Sequence, residues 1–159
     1  MQTVYIETTI PSYLTARPSY NFQRQRHQEQ TRSWWETERQ KYQIFVSTYV
    51  LDEVALGDSD AAARRLNCLE DIPVLEILPE TDLLAEEITR VLRLPPKAIT
   101  DASHLALAIL HNLDYILTWN CTHIANPHLQ RHLIEFCNAN QLHTPVICTP
   151  EHFTGTYYE

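Results

Sequence analysis

Residues 100–118, TDASHLALAILHNLDYILT, are the stretch that decides the fold of this 159-residue chain. The segment 101–112 is strongly apolar and has the length of a buried helix, and we expect Thr100 to cap it. After two more residues, the short run 115–118 has the composition of a buried strand. A buried helix followed directly by a buried strand is typical of a parallel α/β sheet.

The rest of the chain repeats this alternation of short strands with helices. Four further strands are predicted at 3–6, 44–47, 74–77 and 146–148. Helices are predicted at 10–14, 22–41, from residue 48 towards Gly57, 60–70, 81–93 and 127–141. Five strands in this pattern predict an α/β fold with a mainly parallel sheet, and short right-handed connections cover both of its faces.

Length and composition restrict the class of protein. A chain of 159 residues with 44% hydrophobic and 20% charged residues is expected to form a single domain, 1–159. With only 2 glycines it lacks a glycine-rich phosphate loop, and no apolar run approaches the length of a membrane span. The first residues do not resemble a signal peptide, and the 4 cysteines form no C-x-x-C pair, so we expect a cytoplasmic protein.

The charge is acidic overall and uneven along the chain. The formal net charge is −8, which argues against unspecific nucleic-acid binding. Half of the 12 basic residues nevertheless lie in the segment 17–41. Within it, we predict that residues 22–41 form a long, mostly exposed helix anchored at Trp34 and Trp35.

Four polar residues are predicted to lie at the carboxyl ends of the strands, where open parallel sheets bind ligands. Glu7 and Asn120 directly follow strands, Glu53 lies in the helix after the second strand, and Asp101 opens the apolar helix. Clustered carboxylates seldom converge without a cation, and oxygen ligands select Mg²⁺ or Mn²⁺. Such an ion supports phosphodiester hydrolysis. Asp114, by contrast, precedes its strand and is expected to be a turn residue at the opposite edge.

Each of these residues also has an ordinary structural interpretation. Asp101 could be only a first-turn acid beside a cap, and Asn120 could be only a turn residue. Glu53 stands beside Asp52, and one of the two could simply be solvated. Glu7 is the least easily explained in this way, because it interrupts the end of a buried strand.

Four segments, 5–14, 47–54, 101–108 and 115–120, resemble in order the signature segments of PIN-domain proteins, with the toxins of bacterial type II toxin–antitoxin pairs as the most similar subgroup. The resemblance implies a three-layer α/β/α sandwich and a ribonuclease that depends on Mg²⁺ or Mn²⁺. By position, Glu7, Glu53 and Asp101 match the family's acids and metal ligands, and Asn120 stands where many members carry a fourth acid. Thr8 and Thr118 match supporting hydroxyl residues.

Two of these positions depart from the family pattern. Glu7 is one methylene longer than the usual Asp, so the metal or the strand would be placed differently. Asn120 is neutral, which weakens a second metal site. In the implied mechanism Glu7 and Asp101 hold the metal, Glu53 positions or deprotonates the attacking water, and Asn120 orients a water or a phosphate oxygen.

Other interpretations remain open at this stage. The chain could be a catalytically weakened binding module acting through a protein partner, such as a small antitoxin. The segment 17–41 could contact that partner, RNA or a second copy in a homodimer, or it could simply be solvated. A zinc site formed by Cys121, His123, His128 and His132 is a third interpretation, although this spacing matches no common site. His104 is expected to be a helix-packing residue, and Trp34 and Trp35 to be core or interface anchors.

Overall fold

A computed structural model describes residues 1–155 of the chain, so the last four residues of the expected domain lie outside it. One parallel sheet has the strand order β3-β2-β1-β4-β5. The strands are β1 (Thr3–Ile6), β2 (Gln43–Ser47), β3 (Val74–Leu75), β4 (Tyr115–Leu117) and β5 (Val146–Cys148). The predicted five-stranded parallel sheet is therefore confirmed.

The helices cover both faces of this sheet. They are α1 (Thr9–Thr15), α2 (Phe22–Thr37), α3 (Thr48–Val54), α4 (Ser59–Leu69), α5 (Thr81–Val91), α6 (Ile99–Leu110) and α7 (Pro127–Ala139). From β1 through β2 to β3 the chain proceeds towards one edge of the sheet, and from β3 through β4 to β5 it proceeds towards the other edge. Right-handed crossovers in these two directions place α1–α4 on one face and α5–α7 on the other. Accordingly, α1 packs against α2 and α4, whereas α5 packs against α6 and α7. This is the α/β/α arrangement that the sequence predicts.

The core is built around β1 and α6. Val4, Tyr5 and Ile6 on the central strand are completely buried, and every residue from 102 to 109 in α6 is buried. Because both faces of a parallel sheet are covered, its strands are apolar on both sides. Trp34 of α2 is also fully buried, which confirms it as an anchor, and Gln28 and Thr31 of the same helix are buried with it.

Several predicted boundaries differ from the structure. Thr100 does not cap α6: a 3₁₀ turn at Pro96–Ala98 leads directly into the helix, and Ala98 occupies the cap position. β3 has only two residues because its partner β2 ends at Ser47, opposite Leu75. α2 ends at Thr37 and is followed by a 3₁₀ turn, and α5 ends two residues early. Asp58 caps α4 by accepting a hydrogen bond from the Ala61 amide.

Two further findings concern the part of the chain that the structure describes. None of its helices combines the length and the apolar character needed to cross a bilayer. All four cysteines are free thiols. Burial raises the pKa of Cys68 to about 11 and that of Cys148 to about 12, so both are protonated at neutral pH.

Asp114 lies at the edge of the sheet opposite the predicted site, as its position before β4 indicates. Its Oδ2 accepts hydrogen bonds from the Thr3 amide at 2.8 Å and from the Thr3 hydroxyl at 3.1 Å. The Asp114 amide donates back to the Thr3 hydroxyl at 2.9 Å. These bonds join the starts of β1 and β4, so Asp114 has a structural role.

Asp114→Ala is expected to lower the free energy of unfolding by about 1–3 kcal/mol, because the Thr3 donors lose a charged acceptor. Urea denaturation measures the difference. Asp71→Ala, at an exposed position, is the matched control and should stay within about 0.5 kcal/mol of the parent. Equal stabilities of the two variants would contradict the structural role of Asp114.

Candidate functional site

The sheet brings the predicted polar residues to one edge. Glu7 directly follows β1, and Thr118 and Asn120 follow the neighbouring strand β4. The Glu7 amide donates to the Leu117 carbonyl at 3.1 Å, which extends the pairing of the two strands to this edge. Glu53 lies near the end of α3, and Asp101 lies in the first turn of α6.

Glu7 is almost completely buried, with 3% of its surface exposed. Its Oε1 accepts from the hydroxyls of Thr9 at 2.6 Å and Thr118 at 2.5 Å, and its Oε2 accepts from the Thr9 amide at 3.0 Å. Burial raises the pKa of Glu7, although His104 and these donors partly oppose the shift. Such a buried carboxylate gains stabilisation from a nearby positive charge.

Glu53 has a different electrostatic environment. Its Oε1 accepts from the Thr8 hydroxyl at 2.7 Å and bonds His104 Nε2 at 2.5 Å. Burial by itself would raise the pKa of Glu53, but the hydrogen bond and charge of His104, with the Thr8 hydroxyl, lower it overall. Glu53 is therefore ionised at neutral pH and able to accept a proton.

A buried chain of hydrogen bonds orients His104. Its Nδ1 lies 2.6 Å from the Tyr5 hydroxyl, which lies 2.7 Å from the Ser47 hydroxyl. Ionised Glu53 only accepts, so His104 Nε2 donates to it. The Ser47 hydroxyl also accepts from the Val50 amide, which ties the chain to the start of α3. Burial raises the pKa of Tyr5 well above its usual value, which keeps this hydroxyl protonated.

Asp101 is held by the loop that follows β4. Asn120 Nδ2 donates to Asp101 Oδ1 at 3.0 Å, and His123 Nδ1 lies 2.9 Å from Asp101 Oδ2. The Asn120 oxygen accepts from the His123 amide at 3.0 Å, and the Asn120 amide donates to Thr118 Oγ1 at 2.9 Å. The side-chain oxygen of Asn120 therefore faces its own loop, and its nitrogen faces Asp101.

The predicted residues form two hydrogen-bonded groups, one around Glu7 and Asp101 and the other around Glu53. Thr118 links Glu7 to Asn120, and Asn120 links to Asp101. Thr8 and His104 both bind Glu53, so the two predicted hydroxyl residues each contact a predicted acid. Across residues 1–155, however, no three His, Cys, Asp or Glu side chains are grouped so that they could hold a metal ion. This finding also covers the four residues considered for zinc.

The donor chemistry of this edge fits a hard divalent cation. Its acids offer only carboxylate oxygens, which Mg²⁺ and Mn²⁺ prefer over nitrogen or sulfur ligands. Burial raises the pKa of Glu7, so a cation beside this carboxylate would favour its ionised form. Within the described chain the hydrogen bonds of Glu53 fall on Oε1, which leaves Oε2 available.

Two residues of these groups were not among the predicted site residues: Thr9 makes two hydrogen bonds to Glu7, and His123 contacts Asp101. His104, for which helix packing was favoured over a contact with the site, bonds Glu53. His104 is the one polar residue of large size among the apolar residues 102–109, and its full burial required a partner. That signal was present in the sequence, whereas the contacts of Thr9 and His123 depend on how β4 and its loop are placed.

The PIN domain family profile matches residues 4–120, a range that contains the four predicted site residues. No curated protein sequence matches the chain.

Solved structures with a similar fold include VapBC2 from Rickettsia felis bound to a DNA fragment from its promoter. Its TM-score is 0.59 at 14% identity, and the match covers 93% of this chain and 98% of that chain. FitAB bound to the IR36 DNA fragment gives 0.55 at 15% identity, with 97% and 99% covered. FitAcB from Neisseria gonorrhoeae gives 0.56 at 15% identity, with 94% and 99% covered. At these identities the likeness establishes the fold.

His104→Ala is expected to lower the free energy of unfolding by about 2–4 kcal/mol, because Tyr5 and Glu53 lose a buried partner and a cavity remains. Chemical denaturation provides the measurement. His132→Ala, on the exposed face of α7, is the control and should change stability by less than about 0.5 kcal/mol. If the two variants were equally stable, the buried hydrogen-bond chain would have no energetic importance.

Glu7→Gln is expected to gain stability relative to the parent as the pH rises. A raised native pKa contributes stability below the ordinary pKa of a glutamate, and this contribution is lost as the pH rises through the native pKa. Glu7→Gln cannot ionise at this position and therefore does not lose this stability. The unfolding free energy of Glu7→Gln should rise relative to that of the parent between about pH 4 and neutrality. Urea titrations in EDTA at several pH values measure it.

The exposed substitution Glu29→Gln on α2 is the control for this series and should show no comparable trend. A pH-independent difference between Glu7→Gln and the parent would contradict the raised pKa of Glu7.

Proposed function

Because this chain belongs to the PIN domain family, we propose that it is a divalent-metal-dependent endoribonuclease and the toxin of a type II toxin–antitoxin pair. Proteins of this family are generally nucleases that use a divalent metal. The observation that carries the proposal is the position of Glu7, Glu53 and Asp101 at the carboxyl edge of the parallel sheet. That edge is where open α/β sheets bind their ligands.

Glu7, Glu53 and Asp101 are proposed to hold Mg²⁺ or Mn²⁺. When bound, such an ion polarises a phosphoryl oxygen and promotes attack by water. The protein contributes oriented carboxylates: Thr9 and Thr118 fix Glu7, while Asn120 and His123 fix Asp101. The Asn120 side chain donates to Asp101, so its first proposed role is to orient Asp101. It is also proposed to orient a water or a phosphate oxygen.

Glu53 is the proposed general base. Its lowered pKa keeps it ionised, and His104 anchors Oε1 so that Oε2 remains free within the described chain. The attacking water gives a proton to Glu53 while its oxygen bonds to phosphorus. One phosphorus–oxygen ester bond then breaks, and the departing oxygen takes up a proton. His104 acts here as a positioning residue.

A small antitoxin is the proposed protein partner. The similar structures are of VapBC2 and FitAB bound to DNA, and of FitAcB. The carboxyl edge of the sheet that carries Glu7, Glu53 and Asp101 is called the acidic edge below. For this chain we propose that the antitoxin places a basic side chain against the acidic edge, where a carboxylate–guanidinium pair would form. A homodimer and a cytoplasmic location belong to the same proposal.

A catalytically weakened binding module is the second candidate. It is favoured by two observations: Glu53 and Asp101 each contact a histidine, and the fourth acid position holds neutral Asn120. A protein of this kind would bind its partner without cleaving RNA. Cleavage assays therefore separate the two candidates directly.

Glu53→Gln is expected to reduce the rate of Mn²⁺-dependent RNA cleavage by about 10²–10⁴-fold, because the general base is removed. Asp101→Asn should also reduce the cleavage rate, because a proposed metal ligand loses its negative charge. Gel analysis of a labelled single-stranded RNA with purified protein provides the rates, and EDTA should abolish them. Asp52→Asn, the exposed neighbour of Glu53, is the matched control and should retain the parent rate.

Two results would contradict the nuclease proposal. One is cleavage that continues at the parent rate in both Glu53→Gln and Asp101→Asn. The other is the absence of cleavage by the folded parent protein with Mg²⁺ or Mn²⁺, which would favour the binding module.

A further inference from the structure

A cavity of about 320 Å³ lies between α1, α2 and α4. None of its lining residues is acidic and two are arginines, although the whole chain has a net charge of −8. The cavity is therefore locally cationic in an acidic protein. Its lining residues are Ser12, Tyr13, Ala16, Arg24, Gln28 and Arg65.

Arg65 is held in place at this cavity by the end of α3. Its Nε donates to the Val54 carbonyl at 3.0 Å, and its Nη2 donates to the Leu56 carbonyl at 2.7 Å. These bonds engage two of the five N–H groups of a guanidinium. A guanidinium that is already oriented loses little entropy when it binds an anion, and its fork geometry matches a phosphate.

Two sets of contacts link residues that line this cavity to Glu53. Val54, which orients Arg65, is the next residue in the chain after Glu53. On α1, Ser12 lies one turn after Thr8 and donates to the Thr8 carbonyl at 3.0 Å, while the Thr8 hydroxyl bonds Glu53. Ser12 is therefore one helical turn of α1, about 5.4 Å along the axis, from Thr8, whose side chain bonds Glu53.

Arg24 and Tyr13 complete the features expected of a nucleic-acid contact. Arg24 is exposed on the first turns of α2, within the basic segment 17–41. The Tyr13 ring lies 6.0 Å from the Trp119 ring, and His27 stacks on Trp119 at 4.1 Å. Aromatic rings beside basic groups bind single-stranded nucleic acids by base stacking and phosphate contacts.

We infer that this cavity binds a backbone phosphate of the RNA substrate adjacent to the cleaved bond, through the oriented guanidinium of Arg65 and the exposed guanidinium of Arg24. The inference rests on the proposed function, because it assigns the cavity to the same RNA. It accounts for the placement of basic residues next to an acidic edge, which by itself repels a polyanion. The carboxylates act on one phosphate, and the arginines hold its neighbour.

The test measures binding of a fluorescein-labelled twelve-nucleotide oligo(U) RNA to the full chain in EDTA, by fluorescence anisotropy at several salt concentrations. Arg24→Ala should weaken binding by about tenfold at low salt and reduce the slope of log affinity against log salt by about 0.7, the contribution of one phosphate contact. Arg32→Ala, an exposed position further along α2 and outside the cavity, is the matched control and should change neither quantity.

Arg65→Lys provides a second variant, which keeps the positive charge but lacks the planar guanidinium with its paired N–H donors. It should also weaken RNA binding, and urea denaturation identifies any part of the effect that comes from unfolding. Equal effects of Arg24→Ala and Arg32→Ala, or no effect of Arg24→Ala, would overturn the inference. Loss of a co-expressed protein partner from Arg24→Ala with unchanged RNA binding would overturn it in favour of a protein-docking cavity.

Binding in EDTA is independent of cleavage, so the two proposals fail separately. A chain that binds RNA through Arg24 but never cleaves it would contradict the nuclease proposal alone. A chain that cleaves RNA with Mn²⁺ while Arg24→Ala binds as tightly as the parent would contradict the phosphate subsite alone.

Discussion

Burial of the Glu7 carboxylate at the end of the central strand is the constraint on which the rest of the site depends. A carboxylate removed from water is costly unless several donors compensate it. Here the donors come from two places: Thr9, at the start of α1, and Thr118, at the end of the neighbouring strand. The first turn of α1 and the loop after β4 must therefore take up their observed positions together. The placement of Asn120 and Asp101 follows from the same loop.

The other two acids are compensated differently, each by a histidine. His104 binds Glu53 from inside the core, and His123 binds Asp101 from the loop after β4. The His104 contact continues through Tyr5 to Ser47, so the orientation of Glu53 is coupled to β1 and β2. These hydrogen bonds restrict the orientation of each carboxylate. The acidic edge is thus oriented by the protein itself.

The acidic net charge has a different meaning once the structure is considered. At the sequence level it argues against contact with nucleic acid. In the fold, a cavity that contains two arginines lies one helical turn along α1 from Thr8, which bonds Glu53, and Arg24 of the segment 17–41 lines part of it. Local placement of charge decides which face can approach a polyanion, and the net charge alone does not.

The sequence by itself determined the alternation of strands and helices, the position of each acid at a strand or helix end, and the structural role of Asp114. These features depend on local composition, on apolar runs and on the direction of the chain through the sheet. Only the tertiary structure decided which side chains meet. Glu53 reaches His104 across 51 positions and Glu7 reaches Thr118 across 111, and such contacts depend on strand order and on the rotation of each helix about its axis. No local pattern encodes these quantities, because they result from packing the whole core at once.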